Sequence, residues 1–157
     1  MAYIIDIQNI NATKLPMSNE LLSNWAETTL RSEVDNGELT VRITDAEEMT
    51  YLNSTYRQKN KVTNVLSFPA SVPKIIDLDA TLLGDVIICP EVVAQESQDL
   101  NKSYESHFAL MVVHGVLHLL GYDHIENKDA EVMQSKEIKI LNSLGYSNPY
   151  SEESDEI

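Results

Sequence analysis

The stretch His114-Gly-Val-Leu-His118-Leu-Leu-Gly121-Tyr-Asp-His124 constrains this chain more than any other, because it specifies a helix, the point where that helix stops and a bend beyond it. On a helix, side chains four residues apart differ by about 40° in azimuth, so His114 and His118 share one face. Gly121 permits the left-handed residue that ends a helix and turns the chain, which brings His124 back toward the other two. A catalytic zinc takes three protein ligands and keeps one position for water or substrate; His114, His118 and His124 supply that number without a cysteine. The reading is one zinc ion on three imidazoles, and the same ligands accept other divalent metals.

Two histidines at helical spacing are a weak signal by themselves, since single core and surface histidines are common. The glycine at the turning point strengthens it. The spacing matches the metzincin pattern H-E-x-x-H-x-x-G-x-x-H everywhere but at Gly115, which stands where those proteases carry their glutamate. That glutamate is the general base of a zinc protease, so its absence points to a different scissile bond. A phosphodiester is already negative and gains charge in its transition state, so its hydrolysis is helped most by a metal and a cationic clamp.

Arginine is the permanent, bidentate clamp, and the chain has Arg31, Arg42 and Arg57. Arg31 closes a helix, where its charge suits the dipole, and Arg42 alternates with the apolar residues of a strand and faces solvent. Arg57 sits in Arg57-Gln-Lys59-Asn-Lys61, a segment without an acid, and is the favoured phosphate contact. Lys59 and Lys61 are positioned to hold flanking phosphates. The ion would polarise the phosphate or activate water; were the strand RNA, its own 2′-hydroxyl is a further option as nucleophile, which would explain the missing glutamate. His107, two turns before His114, reads as an ordinary partly exposed histidine, and Asp123 as a turn acid.

The remaining periodicities describe an α/β chain. Residues 3–10 are rich in β-branched side chains and read as a strand. Ser18 caps a helix running toward Arg31, Asn36-Gly37 marks a turn, and Leu39 to Thr44 alternate as a half-buried strand. Asp45-x-x-Glu48 is a capping box opening a helix to about Tyr56. Val65 to Phe68 and Gly84 to Cys89 are short strands, the second apolar enough to be buried on both faces, and Pro90 suits the first turn of the helix that follows. Ala70 to Thr81 read as a surface loop. Helices from about Tyr104 to Leu120 and about Asn127 to Leu144 end at Gly121 and Gly145. The fold class is α/β, a single domain over residues 1–150 with a small mixed sheet and a zincin-like histidine helix; residues 151–157 form an acidic, mobile tail.

Charge opposes a nucleic-acid substrate at first sight, since 11 basic against 25 acidic residues leave −14. The acidic tail softens the imbalance near the site. No apolar run is long enough for a membrane span, the N-terminus lacks a signal peptide, and the single cysteine, Cys89, reads as a buried hydrophobe in a reducing compartment. A cytoplasmic address and no membrane partner are expected.

Two blocks make the chain similar to a known family. One is Leu52-Asn-Ser-Thr-Tyr-Arg57-Gln-Lys59-Asn-Lys61-Val-Thr63-Asn64-Val-Leu-Ser67-Phe-Pro69 and the other is the histidine segment, with Leu83-Gly84-Asp85-Val-Ile-Ile-Cys-Pro90 in support. The chain resembles the YbeY endoribonucleases of bacteria, the rRNA maturation factor family. The resemblance implies a mixed sheet of about four strands, a zinc-type ion on the three histidines and catalysis that depends on Arg57. It further implies single-strand-specific RNA cleavage in 16S rRNA 3′-end maturation and ribosome quality control. The partners implied are single-stranded rRNA, the ribosome or its subunit, and assembly proteins. Asn60-Lys61-Val62-Thr63 departs from the family's usual Asp-Lys-Pro-Thr run, and losing the proline loosens the loop after Arg57. The alternatives are a non-catalytic, zinc-stabilised ribosome assembly factor and a zinc peptidase, the latter disfavoured by Gly115.

Overall fold

Leu39, Val41 and Ile43 alternate with Thr40 and Arg42, and this period of two sets the middle of the sheet, with the apolar set fully buried and the polar set half-exposed. The structure is a computed structural model that describes residues 3–9, 14–70 and 82–151. The elements run β1 (Tyr3–Asn9), α1 (Asn19–Arg31), β2 (Gly37–Ile43), α2 (Ala46–Arg57), β3 (Val65–Pro69) and β4 (Leu82–Ile88). They continue with α3 (Pro90–Asp99), α4 (Tyr104–Leu119) and α5 (Asn127–Ser143). Four strands lie in the order β1-β2-β4-β3. The first three are mutually parallel, and β3 adds antiparallel to the outer side of β4, pairing Val65 with Ile88 and Phe68 with Asp85.

One sheet face carries the main core, where Leu39, Val41, Ile43, Val86 and Ile88 meet Leu22, Trp25, Phe108 and Val112. Fully burying each such side chain contributes about 1.5–3 kcal/mol. The other face is covered by α2, with Met49, Ile87 and Cys89 at its centre. Helix α4 is apolar nearly all round, so it must be enclosed; it packs against α1, α3, α5, β3 and β4. That enclosure fixes the helix on which the first two histidines stand.

Capping residues set the helix starts, Ser18 and Asp45 as the sequence implies and Ser103 besides. Ser18 Oγ accepts from Leu21 N at 3.1 Å, Asp45 Oδ1 from Glu48 N at 2.8 Å and Ser103 Oγ from Ser106 N at 3.1 Å. Both helix-ending glycines are left-handed, Gly121 at φ +102° and Gly145 at φ +96°. At the first, Tyr122 N donates to Leu117 O and Gly121 N to His118 O, a Schellman closure that reverses the chain at once.

Two local expectations change. The turn expected at Asn36-Gly37 lies instead at Ser32–Glu33, and Gly37 opens β2. A Cβ on Gly37 would stand 3.1 Å from Leu83 Cδ1 and 3.3 Å from Leu30 Cδ1, so this glycine serves packing. Arg42, expected to face solvent, is only 27% exposed in its side chain, because Glu48 Oε1 and Oε2 accept from its Nε and Nη2 at 2.6 and 3.0 Å. The pair holds the guanidinium above the usual arginine range and the carboxyl below the usual carboxylate range, each through that hydrogen bond. The Ala70–Thr81 loop beyond Ala70, Ile10 of the first strand and the acidic tail beyond Ser151 lie outside the described residues. Among the described residues no helix is long and apolar enough to cross a membrane.

Candidate functional site

His114 and His118 leave the C-terminal part of α4 on one face, and the bend at Gly121 returns His124 to them. Ring centroids are 4.7 Å apart for His114 and His118, 5.3 Å for His114 and His124, and 5.1 Å for His118 and His124. One ligand nitrogen from each ring lies within 4.8 Å of the others. The bend is itself held from outside. Tyr122 Oη donates to Glu33 at the end of α1, and Lys136 Nζ of α5 donates to the other oxygen of Glu33 at 3.2 Å.

The sequence reading missed the group that orients the first histidine. Glu137, on α5 and fully buried, places Oε2 2.5 Å from His114 Nδ1, and Tyr150 Oη donates to its Oε1. A carboxylate accepts only, so the His114 proton sits on Nδ1 and Nε2 is left to face the other imidazoles. Burial raises the Tyr150 hydroxyl well above the usual tyrosine range, and its bond to Glu137 adds to this. The hydroxyl therefore remains a donor. Spacing alone gives no sign of this chain of groups, because Glu137 and His114 are separated by 23 positions and Glu137 and Tyr150 by 13.

His118 is pushed down to about 4, first by burial and then by the two neighbouring imidazoles. It is neutral at neutral pH, the form in which an imidazole ligates a metal. Three convergent imidazoles, one of them oriented by a buried carboxylate, fit a zinc-type ion with an open position.

Arg57, the last residue of α2, faces the same space. It lines a cleft of about 520 Å³ with Asn64, Ser67, His114, His118 and His124. Its Nη2 donates to Ser67 O at 2.8 Å and its Nη1 to Tyr56 O at 3.2 Å. Ser67 Oγ donates to Gly115 O at 2.9 Å, joining β3 to the histidine helix. The other two arginines are committed elsewhere, Arg42 to Glu48 and Arg31 to Glu27 at 3.0 Å. Lys59 and Lys61 lie exposed on the loop after α2 and do not line the cleft.

That loop is not loose despite its missing proline. Buried Asn53 donates from Nδ2 to Lys61 O at 2.9 Å and accepts from Lys59 N at 3.2 Å, so one side chain and its carbonyl brace the turn. Gln58 takes the left-handed conformation, φ 54°, that closes α2.

His107 is a second correction. It is buried at 7% exposure, and its Nε2 lies 3.0 Å from Glu96 Oε1. Glu96 in turn accepts from Asn64 Nδ2 at 3.0 and 3.1 Å, and Asn64 Oδ1 accepts from Val65 N at 2.6 Å. His107 thus stands behind the cleft and helps to fix one of its walls. Asp123 behaves as a turn acid, accepting from Ile125 N at 3.3 Å.

Gly115 also gains a physical reason. A Cβ there would fall 2.5 Å from Val86 Cγ1 and 3.3 Å from Val65 Cγ2. The position used for a catalytic glutamate in zinc proteases is pressed against the sheet here, and a carboxylate does not fit.

Comparison with known proteins finds relatives over nearly the whole chain. A family model described as endoribonuclease YbeY matches residues 6–145. Proteins named endoribonuclease YbeY from Legionella pneumophila strains Corby and Paris are each 54% identical over 157 residues, covering 100% of this chain and 99% of theirs. The solution structure of TM1509 from Thermotoga maritima superposes with a TM-score of 0.60 at 25% identity, over 94% of this chain and 99% of that one.

Proposed function

This chain belongs to the YbeY endoribonuclease family, and from that premise we propose that it is a metal-dependent endoribonuclease that cuts single-stranded RNA. Its place is 16S rRNA 3′-end maturation and ribosome quality control in the cytoplasm, with the ribosome or its subunit and assembly proteins as partners. The observation that carries the reading is that Arg57 and the three histidines line one cleft.

His114, His118 and His124 would hold the ion, zinc in the first instance. When bound, the ion supplies Lewis acidity beside the reacting phosphate. Arg57 holds the phosphoryl oxygens with a charge that does not titrate, and the backbone carbonyls of Ser67 and Tyr56 aim its guanidinium into the cleft. Glu137 and Tyr150 keep His114 in one tautomer and one orientation. Lys59 and Lys61, exposed on the loop that follows Arg57, would meet phosphates farther along the strand. With position 115 closed to a carboxylate, neither of the two candidate nucleophiles, water or the RNA 2′-hydroxyl, would find its base there.

The open cleft and the exposure of His124 speak against an ion that serves stability alone, since structural zinc sites are closed by four protein ligands. The packing at Gly115 speaks against a peptidase. The test is metal analysis together with cleavage of single-stranded and duplex precursor rRNA. The wild type should bind about one ion and cut the single strand, and both Arg57→Ala and His114→Ala should lose cleavage. Full rates in both variants would overturn the reading. Chelation that lowers the melting temperature of a protein that never cuts RNA would establish the assembly factor instead.

A further inference from the structure

Among the described residues strand β3 is an outer strand of the sheet, and the metal cleft occupies only one side of it. Ser67 and Pro69 line the cleft, whereas Phe68 between them packs toward α2 with Leu66, Met49 and Ile87. On that side a second groove opens, about 510 Å³, lined by Arg42, Tyr51, Tyr56, Phe68, Asp85 and Ile87. Nothing in the mechanism above uses it.

The two spaces are joined by one guanidinium. Arg57 Cζ lies 4.8 Å from the centre of the Phe68 ring while Nη2 bonds Ser67 O, so the residue that faces the cleft also stacks on the ring that walls the groove. The Tyr56 ring meets the same Phe68 ring edge-on, at 5.4 Å and 70°. Tyr56 and Tyr51 are 55% and 64% exposed, unusual exposure for large rings on a helix that is otherwise polar on its outer side. At the far wall stands Asp85, exposed and paired in register with Phe68. Arg42 beside it has Nε and Nη2 given to Glu48 and Nη1 to Gln8.

This chemistry selects its occupant. With Glu48 also on its wall, the groove holds one positive side chain, Arg42, and two negative ones, Glu48 and Asp85, which disfavours a phosphate. It offers an aromatic face and the exposed carboxylate of Asp85, which suit a neutral ring bearing an amino group. We propose that the groove is a base-binding subsite that takes one unstacked nucleobase of the RNA strand whose phosphate lies against Arg57, with the base stacked on Tyr56 and its amino group donating to Asp85. The proposal rests on the nuclease reading and deepens it. Only an unpaired base can leave its stack to enter such a groove, so the subsite also gives a physical reason for single-strand specificity. It fits a chain of charge −14, for which contacts to neutral bases oppose less repulsion than contacts to phosphates.

The test uses the metal-loaded full chain and one oligoribonucleotide sequence in which a single abasic residue is moved along the strand. Affinity is read by fluorescence anisotropy before turnover, and cleavage is followed in parallel. At one position, loss of the base should weaken binding to the wild type roughly tenfold. Tyr56→Ala should weaken the intact strand by a similar factor and become indifferent to the abasic residue there, while Tyr56→Phe restores the wild-type response. Asp85→Asn should remove the preference for adenine, guanine or cytosine over uracil at that position. A strand that is cut normally, with no position responding to Tyr56→Ala, overturns the subsite and leaves the nuclease standing. A responding position in a strand that is never cut supports the subsite and overturns the nuclease. Neither binding nor cleavage overturns both.

Discussion

Glu137 is a carboxylate without solvent contact, and its two oxygens are taken by His114 and Tyr150. Glu137→Gln keeps the volume but replaces a charged acceptor with a neutral amide, so His114 loses the bond that raises its basicity as a ligand. Outer partners of this kind are worth roughly 10- to 100-fold in metal affinity. Competition against a chromophoric chelator should show a loss in that range for Glu137→Gln and a smaller one for Tyr150→Phe; unchanged affinity in both would mean that packing alone orients the ring. Arg57 makes a different demand. Lysine at this position keeps the charge and loses the planar fork, and removing a single charge-stabilising donor typically costs about 10²–10³ in kcat. Arg57→Lys should therefore remain severely slowed on single-stranded RNA, and a near-normal rate would show that charge suffices without geometry.

Helix α4 succeeds as a site because its back is fixed, and Gly115 is where it touches the sheet. Alanine would gain about 1 kcal/mol of helix propensity there. The added Cβ would overlap Val86 Cγ1 at 2.5 Å, and overpacking of a tight core costs about 1–3 kcal/mol. The overlap should win, so Gly115→Ala is expected to melt below the wild type. A higher melting temperature would mean that β4 gives way easily. This contact also marks the boundary of what the sequence discloses. Caps such as Ser18 and Asp45, the left-handed stop at Gly121 and the return of His124 are visible in the letters because their causes lie within a few residues. The pairing of Arg42 with Glu48, the packing of Gly37 against Leu83 and the support of His114 by Glu137 depend on which elements meet in space. The apolar period that buries α4 does not say which neighbour its glycine faces. For the same reason His107 reads as a partly exposed histidine until α3 is seen to bring Glu96 against it.

For the molecule as a whole, protons and salt are the sensitive variables. In the metal-free protein His118 titrates near 4 rather than 6.5, so below about 6.5 the unfolded chain takes up a proton that the folded one refuses. This contribution to stability is fully present above 6.5, falls as the pH drops toward 4 and stays constant below that. Metal-free wild type should lose more melting temperature over this window than His118→Gln, and equal losses would remove His118 as the cause. Salt bears on the larger puzzle of a chain of charge −14 that acts on a polyanion. Each phosphate neutralised on a single strand contributes about −0.7 to the slope of log K against log salt. Arg57, Lys59 and Lys61 together allow roughly −2. Repulsion from the remaining acids is also screened by salt, which works in the opposite direction and flattens the line. The measured slope for a single-stranded oligoribonucleotide should therefore lie between zero and about −2. Lys59→Ala and Lys61→Ala should each move it toward zero by roughly 0.7 if those side chains reach the strand. A slope steeper than about −3 would require cations outside this loop, and the cleft would then be the end of a longer basic track. A shallow slope with firm binding would instead mean that the strand is held chiefly by its bases, which is how so acidic a surface can retain RNA at cellular ionic strength.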